Sequence, residues 1–237
     1  MFGVTGPHGL PAPRPACGVL RSEDEVNAAL AEVRRLGLPP HGAAAKNWDS
    51  LAALDLILRH TTRRAHVFDA GGEYYSRVLP WLGLYGYTHL VAGNLDFHES
   101  GTRGAIRYEP MDLTRTPFAS ASLDAVTCLS VIEHGVDVEV FFTEMARILK
   151  PGGFLVTSAD FWGHPIDTRG QHAHGVPIRV FTPEDIHSAL ACAARHGLSL
   201  LAPLDLSTGE PVVHWREYDL RYTFILFSLR KALEVSP

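Results

Sequence analysis

The chain has 237 residues, 46% of them apolar and 20% charged, with a formal net charge of −5. That length can bury one full α/β core, and the acidic balance argues against a dedicated nucleic-acid binder. No apolar run approaches the roughly 18 residues of a membrane span. Cys17, Cys128 and Cys192 are scattered without a CxxC pair, which excludes a disulfide framework and fits a reducing cytoplasm.

The first stretch, "MFGVTGPHGLPAPRPACG", is dense in proline and glycine and is expected to be a mobile arm. Ser22 with Glu25 announces a capped helix whose apolar face, Val26, Leu30, Val33 and Leu36, runs to Gly37 and Pro39-Pro40. Residues 1–45 therefore read as an arm plus an N-terminal helical cap, and 46–237 as the main domain. "KNWDSLAALDLILRH" opens that domain as a second helix. Strands and helices then alternate. "AHVFDA" is a strand, "YYSRVLPWLGLYG" a helical stretch interrupted at Pro80, and "THLVAGNL", "AIRYEPMDL" and "LDAVTCLS" are strands. "DVEVFFTEMARILK" is a helix ended by the Pro151-Gly152-Gly153 turn. "GGFLVTSAD" is a strand, and "TPEDIHSALACAARHG" a helix capped by Thr182 with Pro183 at its first position. "LSLLAPLDL" and "YTFILFSLR" are closing strands. This alternation predicts a mostly parallel sheet with helices on both faces.

In such sheets ligands bind beyond the carboxyl ends of the strands. Those ends carry Asp69 to Gly72, Asn94 to Asp96, Met111 to Leu113, Ser130 to His134 and Asp160 to His164. With no GxxxxGK[ST] loop, a nucleoside triphosphate is disfavoured.

Three segments in this order, "VFDAGG", "MDLTRTPFASASLDAVTCLSVIEH" and "FFTEMARILKPGGFLVTS", resemble the Rossmann-like S-adenosylmethionine-dependent methyltransferases. The resemblance implies a seven-stranded sheet in the order 3-2-1-4-5-7-6 with the last strand antiparallel. It also implies S-adenosylmethionine as cofactor and a small-molecule acceptor methylated on O, N or C, such as a sugar or secondary metabolite. Asp69, Gly71 and Gly72 take the positions beside the amino-acid part of the cofactor. The family's later glycines are replaced here by Glu73 and Tyr75, so Glu73 either meets the cofactor ammonium group or simply begins the next helix. Asn94 stands where the family carries an acid for the ribose hydroxyls, with Asp96 as its substitute. Asp112 and Leu113 match the pair that holds the adenine, and Ser130 completes the cofactor set.

For chemistry, Glu133 and His134 end the fourth strand, and His134 has an intrinsic pKa suited to a base. His164, in the aromatic and histidine-rich segment after the fifth strand, is a further catalytic candidate. His172 and His174 are poorly spaced for joint chelation, and no metal is expected. Two rivals stay open: a methyltransferase fold catalysing another reaction such as a cyclisation, and a non-catalytic partner-binding protein.

Overall fold

The computed structural model of the protein describes residues 7–233. Its elements in chain order begin with β1 (Gly18–Val19), α1 (Glu23–Arg35), α2 (Lys46–His60), β2 (His66–Ala70), α3 (Val78–Leu84) and β3 (His89–Asn94). Next come β4 (Gly101–Arg103), β5 (Ile106–Pro110), β6 (Leu123–Leu129), α4 (Val138–Ile148) and β7 (Leu149–Phe161). The chain closes with β8 (His172–Ala173), β9 (Val176–Pro177), α5 (Pro183–Arg195), β10 (Leu198–Leu200), β11 (Val213–Trp215) and β12 (Leu220–Lys231).

The central sheet runs β5-β3-β2-β6-β7-β12, with β10 beside β12. Adjacent strands from β5 to β7 pair in parallel, and β12 is antiparallel to both β7 and β10. This is the expected 3-2-1-4-5-7-6 order. Three short antiparallel strands enlarge the seven to ten: β4 on β5, and β1 and β11 on β12. Successive strand residues face opposite sides. Val67, Leu90 and Ala92 pack with α1, α2 and α3, whereas Phe68, Ala70 and Val126 pack with α4 and α5. Helices thus cover both faces.

Local differences from the sequence reading have simple causes. The Ser22 hydroxyl caps α1 by accepting from the Glu25 amide, but the Glu25 carboxylate reaches back to the Arg21 amide instead of that of Ser22. Pro80 does not interrupt a helix. It lies in the first turn of α3, where no amide is needed for an intrahelical bond, and residues 73–77 form turns before it. The Lys150 to Gly153 segment is a bulge inside β7, because α4 already ends at Ile148 and the pairing with β6 shifts register there.

The expected mobile arm is, from Pro7 onward, tied to the body; residues 1–6 lie outside the described residues. The Arg14 amide donates to Asp55 at 2.9 Å and Arg59 donates to the Pro11 carbonyl at 3.0 Å. Cys17 and Leu20 are buried, and β1 adds to the sheet edge. Proline excludes helix here, but it does not prevent docking through carbonyls and a short edge strand.

Candidate active site

The turn after β2 is built around Asp69 and two glycines. Asp69 is buried and accepts from the Thr127 hydroxyl at 2.6 Å across the β2–β6 pair. Burial pushes its carboxyl up to about 6, against the opposing pull of Thr127 and Lys46. Gly71 has φ of +79°, and a Cβ there would come within 2.5 Å of the Val131 side chain. A Cβ on Gly72 would meet the Asp69 carboxylate at the same distance. Both glycines are therefore required by the turn's packing, whatever ligand approaches it.

The polar side chains of the next two positions are joined. The Asn94 amide donates to the Gly71 carbonyl at 3.2 Å and to the Glu73 carboxylate at 3.1 Å, while its oxygen accepts from the Asp96 amide at 3.0 Å. Asn94 is thus engaged at both ends, capping the turn and bracing the β2 loop. Glu73 is half-buried, and burial together with Asp96 raises its pKa. It lies beside the end of β3, with Asp96 on one side and the Asn94 amide holding it in place. Tyr74 leaves the turn outward, its ring tilted against that of Phe97 at 4.7 Å and lying under the Arg103 guanidinium.

Asp112 is exposed, and one carboxylate oxygen accepts from both the amide and the hydroxyl of Thr114, which holds its pKa below the usual range. Leu113 is buried beside it.

The loop after β6 meets α2 and β7 in a buried polar network. The Lys46 ammonium donates to Asp49 at 2.5 Å and to the Ser130 hydroxyl at 2.9 Å, and it lies 4.7 Å from the Phe224 ring. The Ser158 hydroxyl also donates to Asp49. Ser130, at φ +54°, bonds through its amide to the Ser158 carbonyl. Glu133 is buried; one oxygen accepts from the Asp160 amide at 2.9 Å and the other has no partner. Burial and the neighbouring Asp160 carboxyl push Glu133 well up, and burial lifts Asp160 to about 7. The Tyr222 hydroxyl and Lys46, which favour the ionised form of Asp160, offset only part of that rise. Asp49, Asp69, Glu133 and Asp160 are all buried, and Lys46 is the cation among them.

His134 is half-buried, and burial, with His174 and Lys46 nearby, presses its pKa down to about 4. Its Nδ1 has no hydrogen-bond partner, and its ring meets that of His174 at 5.1 Å. His174 comes from the tip of the β8–β9 hairpin, whose Val176 packs over Gly135. The hairpin thus closes over the β6 loop. His164 is exposed and its contacts are with Trp162 and Pro165, so the histidine brought to His134 is His174 and not His164.

Sequence reasoning missed Lys46, Asp49 and Ser158, and it set Asp160 at the end of the fifth strand without singling it out from the residues that follow. The usable signal was α2 itself: a helix buried from Asn47 to Ile57 that nevertheless carries Asp49 and Asp55. Charged groups in such a helix need partners: Asp49 has Lys46 of the same helix and Ser158 of β7, and Asp55 has Arg59 and the Arg14 amide.

Residues 86–157 match the sequence profile described as Methyltransferase domain. The matched segment contains the β6 loop and the start of β7, and the chain shares the strand order expected for the fold. The chain has the Rossmann-like fold of the S-adenosylmethionine-dependent methyltransferases and, over that segment, is similar to their methyltransferase domain. Demethylmenaquinone methyltransferase of Deinococcus radiodurans is 44% identical over 117 residues, 47% of this chain and 48% of that protein. Geranyl diphosphate C-methyltransferase of Streptomyces coelicolor, solved with S-adenosyl-L-homocysteine, superposes with a TM-score of 0.58 at 17% identity over 95% of this chain and 88% of that one. A methyltransferase from Mesorhizobium loti gives 0.54 at 18% identity, covering 77% and 98%. The chain spans about half, or less, of the length of the curated relatives it matches. The cofactor of such methyltransferases is S-adenosylmethionine, and in this chain the β2 turn, the β3 end and the β6 loop stand together at the carboxyl ends of the strands. A hollow of about 430 Å³ lies at the opposite ends, lined by His66, His89, Val91, Arg107 and Phe118, and includes none of these residues. Among the described residues no helix is long and apolar enough to cross a membrane.

Proposed function

We propose that this chain binds S-adenosylmethionine at the carboxyl ends of β2, β3 and β6 and transfers its methyl group to a small-molecule acceptor. The observation that carries the reading is the charge of the site. Four buried carboxyl groups face one ammonium at the strand ends, which favours a bound cation. The sulfonium cofactor carries that extra positive charge, and its demethylated product does not. The site is matched to the reactant cofactor.

Within this reading Glu73, held by Asn94, and Asp96 supply the carboxylates for the ribose hydroxyls, a role the family gives to a strand-end acid. Asn94 acts as the brace. Asp112, with one oxygen free of Thr114, and Leu113 flank the adenine. Asp69, Gly71, Gly72 and Ser130 shape the pocket. Lys46 and Asp49 hold the β6 loop in place.

For an acceptor that must lose a proton, Asp160 is better matched than His134. A base works best with a pKa near the operating pH, and Asp160 lies at about 7 whereas His134 is pressed to about 4. Glu133 orients Asp160 through its backbone amide, and His134 is a neutral wall of the site. The acceptor O–H, N–H or C–H proton passes to the carboxylate as the methyl group leaves sulfur. Two relatives are named for small prenyl or quinone acceptors, which supports a small-molecule acceptor of that size.

Calorimetric titration with the cofactor and with its demethylated product tests the reading. Tighter binding of the sulfonium, with proton release on binding near pH 7, is expected. Equal affinities with no proton release would remove the electrostatic basis, and no binding of either would favour a partner-binding role.

A further inference from the structure

A second cluster of side chains lies on the outer helices, apart from the cofactor residues. Glu139 sits in the first turn of α4, Cys192 lies on α5, and His196 ends that helix. Cys192 and His196 are four residues apart, so they share one helical face. The Cys192 thiol donates to one Glu139 oxygen at 3.2 Å, and the His196 Nε2 lies 2.6 Å from the other. Donor atoms of all three residues lie within 4.8 Å of one another. Cys192 is buried, His196 half-buried and Glu139 exposed, so the cluster opens to solvent on one side.

We infer that Glu139, Cys192 and His196 bind a single zinc-class divalent cation that clamps α4 to α5. The donor set decides the class of ion. A thiolate and an imidazole favour zinc and its neighbours over magnesium or calcium, which prefer all-oxygen shells. Around a tetrahedral ion with bonds of about 2.0–2.3 Å, ligand atoms stand roughly 3.3–3.8 Å apart. The separations in the cluster bracket that value, so side-chain rotation alone brings the three into a shell. Water takes the fourth position, with the Thr143 hydroxyl, 3.3 Å from His196 Nε2, as its hydrogen-bond partner. Binding replaces the thiol proton: the metal–sulfur bond forms, one proton goes to solvent, and no electron moves. The Arg195 guanidinium, paired with Glu139 and 60% exposed, swings outward as the carboxylate turns to the ion.

The test uses the full chain without an affinity tag and titrates it with Co²⁺, followed by displacement with Zn²⁺. The expected result is a saturable, equimolar complex with thiolate-to-cobalt charge-transfer absorption and a raised thermal midpoint. Cys192→Ser abolishes that absorption. His196→Gln weakens binding by about 100-fold or more, since even outer-shell losses cost 10–100-fold. Arg195→Gln binds as tightly as the parent or more so. Cys192→Ala, checked for native circular dichroism, serves if the serine variant misfolds. An unchanged cobalt spectrum in a folded Cys192 variant, unchanged affinity in His196→Gln, or no equimolar binding by the parent would overturn the site. Cofactor affinity is measured alongside and is expected to stay the same in every variant, so this result is independent of the methyltransferase reading.

Discussion

The two halves of the sheet are built on different terms. On the β6-β7-β12 side, crossover helices cover the sheet and the strand ends are knitted by buried polar bonds from Lys46, Asp49, Ser158 and Glu133. On the β2-β3-β5 side, the described connections from β3 to β5 and from β5 to β6 contain only turns and the short strand β4. His66 and His89 stack there at 4.5 Å over a partly open face. One half is fixed by a network whose members cannot be removed singly. The other is fixed by turn geometry and one bridging amide. The lesson is that a strand-end site does not need one kind of support throughout: in the proposed reading, the base Asp160 sits on the networked half, and Glu73, Asp96 and Asp112 on the half shaped by turns.

Removing one member of the network should cost most. Lys46→Met leaves Asp49 buried without its cation and should destabilise the protein by about 3–5 kcal/mol, read by denaturant unfolding. Adding Asp49→Asn should recover a large part of the loss. Additive losses would show that the pair is not the unit proposed.

In the other half, Gly71→Val should cost about 2–4 kcal/mol, from backbone strain at positive φ plus overlap with Val131. Adding Val131→Ala should relieve the overlap but leave the strain. A single variant with parental stability and parental cofactor affinity would contradict both the packing and the site.

The third effect depends on pH. Asp160 has its pKa raised in the fold, so its stability contribution is fully present below the ordinary carboxylate range and is lost as pH rises toward about 7. His134 has its pKa lowered, so its contribution is present above the ordinary imidazole range and is lost as pH falls toward about 4. Asp160→Asn should therefore raise stability by about 1–3 kcal/mol at pH 8 and by little at pH 4, while lowering turnover. Thermal midpoints across pH, measured beside activity, check this. A parental pH profile in the variant would reassign the titration.

Asp112→Ala should have the smallest effect, under about 1 kcal/mol in stability, because the side chain is exposed and bonded only to Thr114. Its cofactor affinity should fall more than its stability. Titration with a cofactor analogue lacking the adenine amine separates the two.

Much of this was readable in the chain. The strand order is the one the resemblance implied, and the alternation of strands and helices, with Asp69 and Gly71 at a strand end, follows from apolar runs that end in polar turns, a local pattern. Lys46 and Asp49 were hidden because a helix buried all round looks like core, and its charged members find partners more than 80 residues away. The meeting of His134 with His174 depends on a two-residue hairpin that the histidine spacing alone does not reveal. The Glu73–Asn94 bond was equally out of reach: each residue was noticed separately, but only side-chain reach across two strands joins them.

That bond makes positions 73 and 94 a single heritable unit. Restoring glycine at 73 would strip Asn94 of its anionic partner, and restoring aspartate at 94 would put a third carboxylate between Glu73 and Asp96 while cutting the tie to the Gly71 carbonyl. Either exchange alone passes through a poorer intermediate, so the two residues are expected to be replaceable only together, and a swap tested in the laboratory should be made two at a time.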